Sequence, residues 1–210
     1  MTDPRELRLP LGWGELAALA WHRPGRPRVL CLHGWMDNAA SFVPLAEQLT
    51  GCDLVALENA GHGHSDHRPA GARYHFHDYV FDLDAALDAL AWERATLVGH
   101  SLGSGVAATL ACAAPERVER LVMLDGMGVM SEPADRLPDR LRRSLRSVRR
   151  PRQHRRVFER VGDAARVRQS AMPMADRSAR LLAERALQEC AGGWRWRTDA
   201  RAMWESPAWM

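Results

Sequence analysis

The sequence lacks lysine entirely, so all 29 of its basic residues are arginines. Such a uniform choice is typical of a codon bias, and it argues against a separate functional role for each arginine. The net charge of +3 hides an asymmetry. Residues 1–131 contain 10 Arg and 16 acidic residues, giving −6, whereas residues 132–210 contain 19 Arg and 10 acidic residues, giving +9.

Long apolar runs are missing as well. No stretch approaches the roughly 18 consecutive apolar residues that a membrane-spanning helix needs. Residues 1–12 contain charges and prolines where a signal peptide would have its apolar core. These absences argue against a membrane protein and predict a cytoplasmic one.

Paired cysteines and complete metal-ligand patterns are also absent. The four cysteines are far apart and include no Cys-x-x-Cys pair: Cys31, Cys52, Cys112 and Cys190. The apolar surroundings of the first three predict reduced, buried thiols and argue against disulfides or zinc. Five histidines lie close together, but no acidic or Cys partner completes a known zinc spacing: His62, His64, His67, His75 and His77. We therefore predict neither a metal site nor a cofactor.

Strand and helix patterns alternate along the first 124 residues. The apolar run at 28–33 is typical of a buried parallel strand, and two earlier runs around Trp13-Gly14 predict an antiparallel edge. The further predicted elements are a helix at 39–49, a strand at 53–57, a helix at 79–90, a strand at 95–98, a helix at 103–113 and a strand at 118–124. This alternation predicts an α/β fold in one domain, with a mostly parallel sheet and helices on both faces.

Residues 131–200 are rich in arginine and contain no predicted strand. We expect them to form an all-helical insertion, called the lid below, on a core of residues 1–130. One helix is predicted from the spacing of Leu137, Leu141, Leu145 and Val148. Two further helices are predicted over 157–169 and 176–190. Residues 201–210 would begin the C-terminal part of the core. The 13 Arg within residues 136–168 lack the interleaved aromatic residues of nucleic-acid binders, which favours a solvated helical face and no nucleic-acid partner.

The strongest chemical motif is Gly99-His100-Ser101-Leu102-Gly103, which follows an apolar strand and opens a helix. A nucleophilic serine on so sharp a turn has a strained backbone, and glycines two positions away remove Cβ atoms that would collide. We predict a positive φ or another strained conformation at Ser101. The turn would also direct the amino terminus of the helix at the reacting atoms, which favours developing negative charge.

A second motif, His33-Gly34-Trp35-Met36-Asp37-Asn38, lies at the end of the strand before the first helix. In this topology the loop donates a backbone N–H to the oxyanion, and we select Trp35 for that role, paired with the N–H of Leu102. Gly34 allows a close approach of the backbone. The imidazole of His33 is expected to hold the loop backbone and to take no part in the chemistry.

The sequence resembles the α/β-hydrolase superfamily, and within it the serine hydrolase-like proteins. The matching segments are His33-Gly34-Trp35-x-Asp37-Asn38, Gly61-His62-Gly63-x-Ser65, Tyr74-His75, Gly99-His100-Ser101-x-Gly103, Pro115-Glu116-Arg117-Val118, Asp125-Gly126, Ala164-Ala165-x-x-Arg168, Leu181-Leu182-Ala183-Glu184-Arg185 and Gly192-Gly193-Trp194-x-Trp196-Arg197-x-Asp199. One departure is Glu58-Asn59-Ala60, where the family usually has Asp-x-Pro. We expect this change to alter a turn and to leave the chemistry alone.

The resemblance implies two further strands and a triad histidine after the last of them. We therefore expect a truncated fold without its last two strands, in which the strand at 118–124 is an exposed edge open to self-association. The histidines present are poor candidates for the base. His154 is expected on the surface of the lid, His33 lies on the oxyanion loop, and His100 normally points away from the nucleophile.

The acid of the triad follows either the sixth or the seventh strand in this superfamily. Asp125, at the end of the strand 118–124, is the candidate here; the alternative is a structural carboxylate that caps the adjoining loop.

The function predicted from these residues is hydrolysis of a carboxylic ester or related small acyl substrate, of the esterase type, by Ser101. The alternative is a catalytically inactive fragment that keeps the fold but lacks the triad histidine. In either case we expect the 210 residues alone to be inactive.

Overall fold

The computed structural model describes residues 3–127, 133–149 and 156–205, so His154 lies outside the described residues. The core contains a six-stranded sheet in the order β1-β2-β4-β3-β5-β6. Its strands are β1 (Arg5–Leu11), β2 (Gly14–Trp21), β3 (Arg28–Leu32), β4 (Asp53–Leu57), β5 (Ala95–His100) and β6 (Val118–Leu124). β2 pairs antiparallel with β1 and β4, and the other neighbours are parallel. The predicted mostly parallel sheet with an antiparallel edge is confirmed.

Helices cover both faces of this sheet. The helices of the core are α1 (Val43–Gln48), α2 (Phe76–Ala89) and α3 (Leu102–Ala113), and those of the lid are α4 (Leu137–Arg149), α5 (Val161–Ala171) and α6 (Asp176–Ala186). Alternate residues of β3 join different cores: Leu30 packs in the cluster that contains Leu83 and Val106, whereas Cys31 packs in the cluster that contains Phe42 on the opposite face. No helix within the described ranges is both long and apolar enough to cross a membrane.

The lid is not all-helical, and this expectation was wrong. The helix predicted over 176–190 ends at Ala186, and two antiparallel strands follow, β7 (Leu187–Cys190) and β8 (Gly193–Trp196). Gly192 and Gly193 have φ of 86° and 134°, which lets the chain turn back on itself. Trp196 packs edge-on against Phe158, with ring centroids 5.3 Å apart.

The start of α5 is displaced for the same reason. Phe158 forms two backbone hydrogen bonds of 2.8 Å with Trp194 of β8, so the chain is extended there and the predicted helix over 157–169 begins only at Val161. The helical periodicity of the sequence is local and cannot reveal this pairing between distant residues.

β6 is an edge strand in the described structure, because it pairs with β5 and with no other described strand. Its side chains are unusually exposed for an apolar strand: Val122 is 43% exposed, Met123 42% and Leu124 41%. Residues 121–124 of this edge contain no charge or proline, and an apolar edge of this kind offers unpaired backbone groups to another chain.

The lid is connected to the core through a buried ion pair. Glu58, which follows β4, is completely buried and accepts hydrogen bonds from Arg185 of α6, with Nε to Oε1 at 2.6 Å and Nη2 to Oε2 at 3.1 Å. The backbone N–H groups of Ala39 and His64 donate to the same carboxylate. Burial raises the pKa of Glu58, and the guanidinium of Arg185 opposes that rise. At this position the sequence suggested only an altered turn, whereas the structure adds a contact between core and lid.

We expect the 210-residue chain, taken alone, to associate with itself through the exposed β6 edge. A charged side chain on an edge strand discourages strand pairing, so Val122→Lys should reduce the associated fraction relative to the original chain. Light scattering together with sedimentation measures this. A monomer before the substitution, with the amides of β6 strongly protected from hydrogen exchange, would contradict the expectation.

Removal of Arg185 should destabilise the fold strongly. Arg185→Met leaves the carboxylate of Glu58 buried without its cation, which costs about 3–5 kcal/mol of unfolding free energy. The control is Arg177→Met, which removes an exposed ion pair of the lid with Glu47 and should cost far less, because water screens that pair. Adding Glu58→Gln to Arg185→Met should restore part of the loss. Urea denaturation measures all four proteins, and equal losses for the two single variants would contradict this account.

Candidate active site

Ser101 occupies a sharp turn between β5 and α3, and its backbone conformation is strained, with φ 49° and ψ −112°. The predicted positive φ is confirmed. A non-glycine residue in such a region persists only where its surroundings hold it. Here the N–H of Ser101 donates to the carbonyl of Leu124 on β6 at 3.0 Å. The hydroxyl of Ser104 donates to the carbonyl of Gly99 at 2.7 Å, so the turn is fixed from both sides.

Two glycines make this turn possible through close approach. A Cβ on Gly103 would lie 2.2 Å from the carbonyl oxygen of Leu32 on β3, and a Cβ on Gly99 would lie 2.4 Å from the carbonyl oxygen of Gly103. Contacts this short to backbone atoms cannot be relieved by moving a side chain. The glycines are therefore required for α3 to approach the sheet, and α3 in turn places Ser101.

Ser101 is exposed at one wall of a cleft of about 630 Å³. The cleft lies between the ends of β5 and β6 and the segment 202–205. Besides Ser101, its walls include apolar and aromatic side chains, among them Trp35, Tyr74, Phe76, Tyr79, Met203 and Trp204. Arg140 and Arg143 of α4 also line the cleft. The cleft can thus accommodate an apolar group beside the serine hydroxyl.

The two predicted oxyanion donors adjoin this serine. Leu102 is the first residue of α3, where helix geometry leaves the N–H without an intrahelical acceptor. Trp35 lies in the loop 33–38 that follows β3, here called the oxyanion loop, and both residues line the cleft. No acceptor within the described residues takes a hydrogen bond from either N–H. The helix amino terminus also favours negative charge at this point.

His33 holds the backbone of the oxyanion loop. Its Nδ1 lies 2.7 Å from the carbonyl oxygen of Gly34, and its Nε2 accepts a hydrogen bond from the N–H of Asn59 at 3.0 Å. This arrangement requires a neutral ring with the proton on Nδ1. Burial, with a smaller contribution from the neighbouring His62, lowers the pKa of His33 to about 3 and keeps the ring neutral.

Asp125 directly follows β6 and also lines the cleft. Its φ is 49°, which is uncommon for a non-glycine residue, and its side chain is exposed. The cleft is therefore lined by Ser101 and Asp125 together with the two predicted oxyanion donors. His100 is directed at the oxyanion loop, with Nδ1 3.6 Å from Oδ2 of Asp37.

No histidine within the described residues lines the cleft. The same part of the chain contains no group of three His, Cys, Asp or Glu side chains arranged to hold a metal ion. His62 is buried beside His33, with ring centroids 5.3 Å apart.

Several residues around the site were missed by the sequence analysis. Asp37 forms an ion pair with Arg168 of α5, and Tyr74 donates to Oδ2 of Asp199 at 2.8 Å, joining the cleft wall to the segment after β8. All four lie in the segments that carry the family resemblance. That resemblance was the available signal, but it did not indicate which residues pair.

The buried histidines should make the protein sensitive to acid. Burial lowers the pKa of His33 to about 3 and that of His62 to about 4, whereas an unfolded histidine titrates near ~6.5. Between about pH 6.5 and 4 the unfolded chain therefore binds protons that the folded chain excludes. As the pH is lowered through this range, the free energy of unfolding should therefore decrease by up to about 1.4 kcal/mol per pH unit for each group.

Urea midpoints measured from pH 7.5 to 4.5 test this dependence. The slope of unfolding free energy against pH reports how many protons the chain takes up on unfolding. This number should be smaller by about one in His62→Gln and unchanged in the control His77→Gln, whose side chain is exposed. An equal slope in all three proteins would contradict the assignment.

The chain is similar to known proteins over most of its length. The alpha/beta hydrolase fold family matches residues 27–188. A serine hydrolase-like protein of Danio rerio is 36% identical over 208 residues, which are 93% of this chain and 62% of the relative. The human serine hydrolase-like protein is 42% identical over 123 residues, 57% of this chain and 60% of that protein. The chain thus spans about three fifths of the length of these relatives.

Solved structures are also similar to this chain over nearly its whole length. The crystal structure of a hypothetical protein from Pseudomonas aeruginosa PAO1 is 39% identical with a TM-score of 0.91, covering 100% of this chain and 74% of the other. A thioesterase domain from the curacin biosynthetic pathway is 27% identical with a TM-score of 0.83, covering 96% and 72%.

Proposed function

Because this chain belongs to the alpha/beta hydrolase fold family, we propose that it is a serine hydrolase of carboxylic esters or related acyl compounds, with Ser101 as its nucleophile. The observation that carries this proposal is the position of Ser101. It lies on a strained turn at the wall of an apolar cleft, beside the N–H of Leu102, which has no acceptor within the described ranges.

In the proposed reaction the Oγ of Ser101 attacks the acyl carbon and gives its proton to a base. The N–H groups of Trp35 and Leu102 stabilise the negative charge on the carbonyl oxygen as the tetrahedral intermediate forms. The bond to the alcohol or thiol then breaks, the leaving group takes up the proton, and water releases the acid from the serine. Asp125 would orient the base, since it lines the same cleft as Ser101.

The substrate class is supported by the cleft and by the relatives. Serine nucleophiles suit esters, thioesters and amides. Structures similar to this chain include a thioesterase domain and, at 27% identity and a TM-score of 0.78, E-2-(acetamidomethylene)succinate hydrolase. The aromatic walls around Tyr74, Phe76 and Trp204 favour a small to medium apolar acyl or alcohol group. We further propose that the protein acts in the cytoplasm.

A second candidate is a protein that keeps the fold and the cleft without turnover. The observation in its favour is that none of the described histidines lines the cleft. Loss of a triad member in serine hydrolases costs a factor on the order of 10⁴ to 10⁶ in rate. The two candidates differ in whether Ser101 reacts when a base is supplied.

Free imidazole can supply that base. We expect the 210-residue chain to hydrolyse nitrophenyl acetate near the background rate, and to hydrolyse it faster when imidazole enters the cleft and accepts the proton of Ser101. Ser101→Ala should abolish this gain, and Ser170→Ala, at an exposed serine of α5, should retain it. Initial rates over a series of imidazole concentrations measure the effect, with the protein-free reaction subtracted.

An imidazole-dependent gain that is equal in Ser101→Ala and the unmodified chain would contradict Ser101 as the nucleophile. Turnover without imidazole that Ser101→Ala abolishes would keep that nucleophile, reject the second candidate and place the base within these 210 residues.

A further inference from the structure

We propose that Arg168 of the lid is a positioning residue for the oxyanion loop, through which docking of the lid sets the direction of the Trp35 N–H. The inference rests on the proposed function, since that function gives the loop its role.

Arg168 contacts two consecutive residues of the loop. From α5, its Nη1 donates to the carbonyl oxygen of Met36 at 3.0 Å, and its Nη2 forms an ion pair with Oδ1 of Asp37. The two side chains are largely buried, at 17% and 11% exposed for Arg168 and Asp37. Water therefore screens this charge pair less than it screens a surface pair. The planar fork of an arginine suits two such acceptors at once.

The residue held in this way is strained. Met36 has φ 63°, a left-handed conformation that costs a non-glycine residue free energy. A conformation of this kind is retained only where neighbouring groups impose it. The hydrogen bond from Arg168 to the Met36 carbonyl is one such group, and the lid supplies it.

The effect reaches Trp35 through a single peptide group. The carbonyl of Gly34 accepts from the N–H of Asp37 at 3.1 Å and lies 2.7 Å from Nδ1 of His33. The N–H of Trp35 belongs to the same peptide plane and points the opposite way. Fixing Asp37 therefore fixes the direction in which Trp35 donates.

The second carboxylate oxygen of Asp37 faces the turn between β5 and α3 that contains Ser101. Its Oδ2 lies 3.6 Å from Nδ1 of His100, the residue before Ser101. The carboxylate thus lies between the lid, the oxyanion loop and the nucleophile turn.

A second lid contact provides a matched control. Arg177 of α6 pairs with Glu47 of α1, with Nη1 to Oε2 at 2.9 Å. This pair also joins lid and core through an arginine, but it is exposed and lies away from the oxyanion loop.

The experiment compares Arg168→Met with Arg177→Met by two readouts. Amide hydrogen exchange of Asp37 by NMR reports the loop, with the amide of Leu30 in β3 as the check that the core is folded. Imidazole-dependent turnover of nitrophenyl acetate reports the site. Arg168→Met should accelerate exchange at Asp37 about tenfold and lower the turnover rate about 10- to 100-fold with little change in KM, and Arg177→Met should do neither.

Met36→Gly separates positioning from a general structural role. Glycine adopts a positive φ without strain. Met36→Gly added to Arg168→Met should therefore recover part of the lost exchange protection at Asp37 and part of the lost turnover rate. Exchange at Asp37 that is unchanged in Arg168→Met, or equally accelerated in Arg177→Met, would overturn the proposal. If the unmodified chain shows no turnover either with or without imidazole, the proposed function fails, and the exchange comparison still decides the role of Arg168.

Discussion

The site depends on one close contact between backbones, the approach of the first turn of α3 to β3 without any side chain in between. The space that a Cβ on Gly103 would need is occupied by the carbonyl of Leu32. Because α3 lies so near the sheet, the turn before it is too sharp for ordinary dihedral angles, and Ser101 takes up the strain. The same turn places the N–H of Leu102, which donates to no acceptor among the described residues, directly after Ser101. The positions of the proposed nucleophile and of one proposed oxyanion donor thus result from a single packing constraint.

A second set of contacts places the lid over this site. They are polar and involve residues distant in sequence, and the loops of the core supply most of the acceptors. Glu58 and Arg185 are 127 residues apart in the chain, and Met36 and Arg168 are 132 apart. A buried carboxylate and a buried guanidinium are costly when separated, so these pairs favour one arrangement of lid and core. The oxyanion loop contacts the lid through Arg168 and the core through Asn59.

Local pattern was sufficient to predict the core from the sequence. The strands at 53–57 and 118–124 were predicted with their observed bounds, since apolar runs flanked by helices leave few alternatives. The strain at Ser101 followed from two glycines and a serine. The hairpin of β7 and β8 was not predictable in this way, because the helical pattern of α6 continues into it. The pairs of Arg168 and Arg185 were hidden as well, because one arginine among 29 carries little information.

The central claim is that Ser101 and the two N–H groups form one reactive unit, and a crystal structure with a bound boronic acid tests it most directly. An alkylboronic acid adds a serine oxygen to its boron, and the proton released goes to solvent at mildly alkaline pH. The resulting tetrahedral anion resembles the intermediate of acyl transfer. The account predicts a bond from Oγ of Ser101 to boron, with one boronate oxygen roughly 2.7–3.1 Å from the nitrogens of both Trp35 and Leu102. A boronate bound elsewhere, or bonded to Ser101 with its oxygens turned away from both N–H groups, would contradict it.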